Sequence, residues 1–164
     1  MNRKLFNFFL AFALFGIALG FFGILYEGLV YGPKMLGDSR SRMLFWKDFY
    51  QVISPVFYYL PMNPLGMLSM IIVYLNADKY AAPVKRPLLY AILFQAASFL
   101  ITIFIVKGID MKTAFTNISL YASEIPNKTA LFNGLSIVRI LASGIAMLNV
   151  FRACLANARN LTVL

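Results

Sequence analysis

The chain contains no histidine and a single cysteine, Cys154, and only 13% of its 164 residues are charged. Because there is no second thiol, no disulfide can form within the chain. A zinc, haem or copper site based on histidine or cysteine cannot be built from one such ligand. Cys154 also lacks an imidazole that would activate it as a nucleophile, so we expect it to pack at the end of an apolar segment. We therefore expect no metal site and no cofactor.

What the chain has in quantity is apolar sequence, with 61% hydrophobic residues and four long apolar segments at 5–30, 55–75, 88–106 and 131–151. A helix rises about 1.5 Å per residue, so about 20 apolar residues cross a hydrocarbon core of about 30 Å. All four segments reach that length. The sequence predicts an all-α integral membrane four-helix bundle that forms a single domain over 1–164.

The net charge of +9 comes from residues at the boundaries of the apolar segments. This distribution argues against a nucleic-acid partner, which needs a basic patch with interleaved aromatics, and favours a lipid bilayer with anionic headgroups. The first segment is longer than a signal-peptide core of about 7 to 15 residues, so we expect it to be retained as a span. The flanking cations divide equally between the two sides. We place the termini in the cytoplasm because Arg3 and Lys4 directly precede the first span and the short, basic connection 76–87 shares their side.

The connection between the first two segments mixes charge with the aromatic residues Trp46, Phe49 and Tyr50. Such amphipathic aromatics favour a helix that lies at the membrane interface. The sequence therefore predicts an interfacial helix between spans one and two, either as a membrane anchor or as a lid over a ligand.

Proline is concentrated at the start of the second segment, at Pro55, Pro61 and Pro64. A proline inside a helix removes a backbone hydrogen bond and clashes with the preceding turn. We expect this segment to be kinked or broken around residues 59–63. The distortion would either shape helix packing or border a cavity.

Small residues form a stripe on the first span, where Gly16, Gly20, Gly23 and Glu27 recur at spacings of four, three and four. These spacings place them on one helix face, and a GxxxG pair allows close approach of another backbone. The stripe predicts a helix-packing groove, within the chain or between copies. The alternative is a narrow channel or substrate groove that ends at Glu27.

The third span carries Gln95, Ser98 and Thr102 on one face. Lipid offers no partner to an amide or hydroxyl, so this face should point into the bundle and form hydrogen bonds between helices. Gln95 is also a candidate to orient the polar head of a ligand.

The fourth span places Ser136, Arg139 and Ser143 on one side, with Asn133 close by. An arginine inside an apolar segment needs a partner, water or a route to the surface. Glu27 is the natural partner, as the acid placed well within an apolar run. The pair either locks helix one to helix four or serves a site, with Arg139 binding an anionic or carbonyl-bearing substrate and Glu27 transferring a proton. The third possibility is that Arg139 alone extends to the interface.

Several short patterns carry a resemblance to a known family. They are Gly20-Phe-Phe-Gly through Gly32-Pro33, Ser54-Pro55-Val-Phe, Pro126-Asn127 and Asn133-Gly-Leu-Ser-Ile-Val-Arg139. Over most of its length the chain resembles the four-span membrane protein family that includes the anthrone-oxygenase-like proteins. The resemblance implies a helical bundle and cofactor-independent oxidation of an aromatic substrate, depending chiefly on Arg139, with Asn133 and Trp46 in support. The histidine expected in many relatives near the start of span four has no counterpart in this sequence.

Three functional hypotheses follow, because the chain has no self-sufficient catalytic or transport signature. The first is a small polytopic protein that acts by helix packing, as a homo-oligomer or as an accessory subunit of a membrane complex. The second is a membrane enzyme or carrier for a small hydrophobic ligand bound near Glu27, Gln95 and Arg139. The third is an ion channel.

Overall fold

The structure, a computed structural model, describes residues 1–31, 44, 56–110 and 123–162. Within these ranges the chain is helical and contains no β-strand. The helices are α1 (Arg3–Tyr26), α2 (Val56–Tyr80), α3 (Lys85–Ile105) and α4 (Ile125–Thr162). A π-helical turn extends α1 over Glu27–Tyr31, another extends α3 over Val106–Asp110, and a 3-10 turn at Ala82–Val84 joins α2 to α3. The predicted interfacial helix, with Trp46, Phe49 and Tyr50, lies outside the described residues.

Three stretches of helix are long and apolar enough to cross a membrane, namely Arg3–Leu29, Ala82–Ile109 and Pro126–Asn160. Their outer surfaces are apolar as well as their inner ones. Phe15, for example, is 54% exposed, and Leu141 is 62% exposed. A helix that is hydrophobic on all sides suits a lipid environment. These stretches indicate a membrane protein.

Helix α2 differs from the other three because its first half is interrupted by polar and imino residues. It has 25 residues, and Pro61 and Pro64 lie inside it. The helix is nevertheless continuous from Val56 to Tyr80. Of the two distortions expected around residues 59–63, the break is therefore not present, and the kink stays a prediction. Each proline removes only one backbone hydrogen bond, and neighbouring helices make such positions tolerable inside a membrane bundle.

Neighbouring helices are antiparallel. Helix α1 packs on α2 and α4, and α3 packs on α4 and α2. Arg3, at the start of α1, bonds the carbonyl of Tyr80 at the end of α2, whereas Gly20, further along α1, meets Asn63 early in α2. On the other side, Ser98 of α3 reaches the carbonyl of Arg139 in α4. The chain termini and the turn between α2 and α3 therefore lie at one end, which we call the terminal end.

The glycine stripe of α1 faces α2 of the same chain. A Cβ atom at Gly16 would lie 2.9 Å from the carbonyl oxygen of Met62 and 3.0 Å from the Cα of Gly66. A Cβ at Gly66 would in turn lie 3.2 Å from the backbone of Gly16 and Ile17. Gly16, Gly20 and Gly23 are all buried. The two backbones thus cross in contact, as small residues permit in membrane helices.

Among the described residues, two apolar clusters lie at different positions along the helix axes. The first occupies the terminal half, and its largest buried members are Phe6, Ile17, Met70, Leu88 and Val150. The second lies nearer the opposite end and consists of Ile105, Ile109 and Phe132. Buried polar side chains separate the two clusters along α3 and α4.

Candidate functional site

Buried and half-buried polar side chains between the two apolar clusters define what we call the polar layer. It consists of Glu27, Asn63, Gln95, Ser98, Ser136, Arg139 and Ser143. On α4 the order is apolar at Phe132, polar from Ser136 to Ser143, and apolar again at Ala146. All four helices therefore contribute to a band of polar groups, and inside a bundle such groups need hydrogen-bond partners.

An ion pair between α1 and α4 is the centre of the polar layer. Arg139 Nη2 donates to Glu27 Oε2 at 2.7 Å, and the two side chains are 2% and 17% exposed. Arg139 therefore pairs inside the structure and does not extend to the interface. Removing either partner would leave a charge in a low-dielectric environment, so each group holds the other in place. Glu27 is also the first residue of the π-helical turn that ends α1.

Helix α3 supplies Gln95 and Ser98, which are 2% and 1% exposed. The Gln95 amide donates to Asn63 Oδ1 on α2 at 3.2 Å, and the Ser98 hydroxyl donates to the Arg139 carbonyl at 3.5 Å. One turn further on, the Thr102 hydroxyl donates to the carbonyl of Ser98 in its own helix. Gln95 Oε1 is buried and has no hydrogen-bond partner among the described residues.

Helix α4 also supplies several buried polar atoms that have no hydrogen-bond partner among the described residues. The hydroxyls of Ser136 and Ser143, the amide nitrogen of Asn133 and Nε of Arg139 are buried and lack a partner within the described ranges. Thr129, which the sequence analysis did not select, has the same property. The signal that could have identified Thr129 is its spacing of four residues from Asn133 on one helix face. These groups can form further hydrogen bonds without giving any up.

A cavity of about 200 Å³ lies between α2 and α3, next to the polar layer. Its walls are apolar, and its lining residues are Asn63, Pro64, Met67, Leu68, Ile71, Gln95 and Phe99. Asn63 and Gln95 supply its polar groups. A cavity near the prolines was one of the two alternatives that the sequence left open, the other being a distortion that shapes helix packing. Asn63 was not among the predicted site residues, although an asparagine between two prolines in an apolar segment was a visible signal.

A second set of polar side chains, which we call the terminal network, joins three helices at the terminal end. It consists of Arg3, Asn7, Tyr80, Asn157 and Asn160. The Tyr80 carbonyl accepts from Arg3 and from Asn160, the latter at 3.2 Å. Asn157 accepts from Arg3 at 2.9 Å and donates to Asn7 at 3.0 Å. The sequence analysis treated Arg3 only as a membrane anchor and missed this network, because residues 3 and 157 are brought together only by helix packing.

Among the residues that the structure describes, no group of three His, Cys, Asp or Glu side chains could hold a metal ion. The aromatic candidates Trp46, Phe49 and Tyr50 are not among those residues. No family model, curated protein or solved structure matches this chain. A function therefore has to be inferred from the site itself.

Proposed function

We propose that this is a four-span membrane protein that binds a small amphipathic molecule in the cavity between α2 and α3, as an enzyme or a carrier for it. The observation that carries the proposal is Gln95, which lines that cavity and whose buried Oε1 has no described hydrogen-bond partner. Buried polar atoms are nearly always hydrogen-bonded in native proteins. A ligand donor such as a hydroxyl would complete this one.

The four-span arrangement is supported by the length and packing of α2. Its 25 residues extend over about 38 Å, more than the hydrocarbon core of about 30 Å. Gly16 and Asn63, at the contacts between α1 and α2, lie well inside both helices. A helix that packs along a spanning helix in this way is expected to cross with it. We place both termini on the cytoplasmic side because Arg3 and Lys4 precede α1 directly.

The chemistry of the cavity supports a ligand that is mostly apolar and has a single polar group. Apolar walls with a few convergent polar groups are typical of small-molecule sites. A volume of about 200 Å³ exceeds that of the engineered apolar cavity of about 150 Å³ that binds benzene. One or two rings with a hydroxyl match both the size and the free acceptor.

The resemblance to the anthrone-oxygenase-like proteins adds a more specific proposal, that the ligand is a hydroxylated aromatic compound and that it is oxidised here by molecular oxygen, which is reduced to water. Arg139 would then bind the developing anion and Glu27 would transfer the proton. Arg139 and Glu27 pair at 2.7 Å but do not line the cavity, so this role requires the ligand to reach the pair past Gln95. In one respect the chain departs from many members of that family, because it has no histidine near the start of span four.

The experiment uses 1-naphthol as the probe and the full chain in detergent. Saturable binding of 1-naphthol is expected by equilibrium dialysis, with weaker binding of naphthalene, which has no hydroxyl. Replacing Gln95 with leucine should weaken 1-naphthol binding by about fivefold to tenfold, the value of one hydrogen bond. The control is Leu75→Ala on α2, since Leu75 is 72% exposed and does not line the cavity.

Equal affinity for naphthalene and 1-naphthol, together with no effect of Gln95→Leu, would contradict the proposal. The cavity would then be a gap that lipid fills.

The hypothesis of a homo-oligomer or an accessory subunit remains a prediction. No described contact favours it, because Gly16 and Gly20 of the glycine stripe pack on α2 of the same chain. The mass of the detergent-solubilised protein tests it, and a lone monomer would count against it. The ion-channel hypothesis is tested by conductance in planar bilayers.

A further inference from the structure

One face of α4 carries polar side chains over more than three turns. Thr129, Asn133, Ser136, Arg139 and Ser143 recur at spacings of four, three, three and four, which places them along one helix face. We call these five residues the α4 polar face. Apart from Asn133, which is half-buried, none of them is more than 2% exposed. The face begins at Thr129, on the side of the protein that lies opposite the terminal end. It finishes at Ser143, beside the first apolar cluster.

All five residues of the α4 polar face keep a buried polar atom without a hydrogen-bond partner within the described ranges. The atoms are Thr129 Oγ1, Asn133 Nδ2, Ser136 Oγ, Arg139 Nε and Ser143 Oγ. The only one of the five with a described side-chain hydrogen bond between helices is Arg139, through its Nη2 to Glu27. Five such atoms in one row are many more than a native interior normally leaves unpaired.

The same types of side chain behave differently elsewhere in this protein. The hydroxyls of Ser69 and Thr102 donate to the carbonyl four residues earlier, each at 2.9 Å, and the Asn149 amide does so at 2.8 Å. That local bond is the usual way for a hydroxyl inside a helix to satisfy itself. On the α4 polar face, Ser136 and Ser143 do not use it. Their hydroxyls are therefore free to bond with something that lies beside the helix.

The spacing along the α4 polar face suits water. Three or four residues of helix correspond to a rise of about 4.5 to 6 Å, and two hydrogen bonds in series through one water span about 5.6 Å. A buried water typically makes about three hydrogen bonds to groups that are otherwise unsatisfied. Successive residues of the face are thus placed to share waters, and the row leads to Arg139 and its partner Glu27.

We propose that the α4 polar face holds a file of bound water that connects the Glu27–Arg139 pair to the aqueous phase at the end opposite the terminal end. Toward the terminal end the first apolar cluster closes the path, since Ala146 and Ile17 are both fully buried in it. Toward the opposite end the file has to pass Phe132 of the second apolar cluster, alongside Thr129 and Asn133. The polar layer is then reached by water and protons from one side of the membrane only. This inference does not depend on the proposed ligand, because the file runs along α4 and the cavity lies between α2 and α3.

The test measures the water accessibility of single cysteines in the full chain, reconstituted in liposomes. Cys154 is the only native cysteine, so Cys154→Ser provides a clean background. Ser136→Cys and Ser143→Cys each exchange one atom and disturb packing little. The probe is 2-aminoethyl methanethiosulfonate, a small cation that reacts with thiolates, and intact mass reports the modified fraction over time.

Matched controls come from the same helix at the same depth. Ile137 and Leu141 are 61% and 62% exposed and face away from the α4 polar face. Cysteines at 136 and 143 should react faster than cysteines at 137 and 141 by about tenfold or more, because a thiol in lipid does not ionise. Ala146→Cys, inside the first apolar cluster, should not react. Reactivity at 136 and 143 no higher than at the controls would overturn the proposal, and so would equal reactivity at 146.

A second measurement uses the unmodified protein, so that a folding defect cannot decide the outcome. In lipid bilayers, solid-state NMR can follow magnetisation transfer from water to individual side chains. Rapid transfer is expected at Ser136 and Ser143 and slow transfer at Ile137 and Leu141. Uniformly slow transfer to all four would contradict the water file, whatever the result of the 1-naphthol experiment.

Discussion

The terminal network and the polar layer are built from similar side chains but use them in opposite ways. In the terminal network, Asn157 both accepts and donates across helices, and the last carbonyl of α2, at Tyr80, receives two donors. In the polar layer, hydrogen bonds between helices are few, and Gln95, Ser136 and Ser143 each retain an unpartnered atom among the described residues, whereas Arg3 Nε is the one such atom of the terminal network.

Polar groups that bond one another across helices hold the helices together. Polar groups with an unpaired donor or acceptor can still form a further hydrogen bond. A network whose members bond one another adds stability and has little left to offer a ligand. A layer with free donors and acceptors is less stable than it could be, and sites that bind substrates or water commonly have this property. Within the layer the Glu27–Arg139 pair matches its two charges, although Arg139 Nε also lacks a partner among the described residues.

The largest effect is expected at that pair. Arg139→Met should lower the free energy of unfolding by about 3 to 5 kcal/mol, because it leaves the Glu27 carboxylate without its partner. The double variant Glu27→Gln with Arg139→Met should recover most of the loss. The measurement is reversible unfolding by titration with sodium dodecyl sulfate in mixed micelles.

Arg152→Met provides the control for this prediction, since Arg152 is an exposed cation on the same helix. A double variant as unstable as Arg139→Met alone would mean that the arginine stabilises the fold by packing and not by pairing.

A smaller loss is expected in the terminal network. Asn157→Leu should destabilise the protein by about 1 to 3 kcal/mol, because Arg3 and Asn7 both lose a partner across helices. The matched control is Asn149→Leu, also on α4 and similarly buried, whose amide bonds only the Ile145 carbonyl of its own helix. Binding of 1-naphthol should be unchanged in both variants. If Asn157→Leu and Asn149→Leu lowered the free energy of unfolding equally, the hydrogen bonds between helices in the terminal network would add no stability beyond a bond within one helix.

The smallest effect is expected at Ser143. Ser143→Ala should change the free energy of unfolding by less than about 0.5 kcal/mol, because its hydroxyl has no described partner to lose. Ser69→Ala, at a site of similar burial, should cost about 0.5 to 1 kcal/mol because the Ser69 hydroxyl bonds the Leu65 carbonyl. If Ser143→Ala proved more destabilising than Ser69→Ala, the Ser143 hydroxyl would be a group that stabilises the fold and not one that is free to bind water.

Much of the helical content was predictable because length and apolar composition act locally. The apolar segments 5–30, 88–106 and 131–151 are helical throughout, if the π-helical turns that extend α1 and α3 are included. The second segment is also helical from Val56 on, without the break that its prolines suggested. Proline weakens a helix locally, and packing against neighbours decides whether it ends one.

The candidate site was predictable only where membrane physics forced a choice. An arginine and a glutamate inside apolar segments have few alternatives to each other, and Arg139 and Glu27 are indeed 2.7 Å apart. Nothing local required Asn63 to meet Gln95, or Arg3 to reach Asn157, because these contacts depend on how far each helix is shifted along its neighbour.

The sequence alone determined that this chain is helical, that it belongs in a membrane, and that its buried charges must be matched, because apolar length and the energy of an isolated charge in lipid do not depend on the fold. Tertiary structure alone decided which polar groups are satisfied. The close crossing at Gly16 and Gly66 accompanies a helix register in which Asn63 meets Gln95 and the face of α4 from Thr129 to Ser143 keeps its hydrogen-bonding capacity. That register is set by backbone contact between helices, which no single segment of sequence contains.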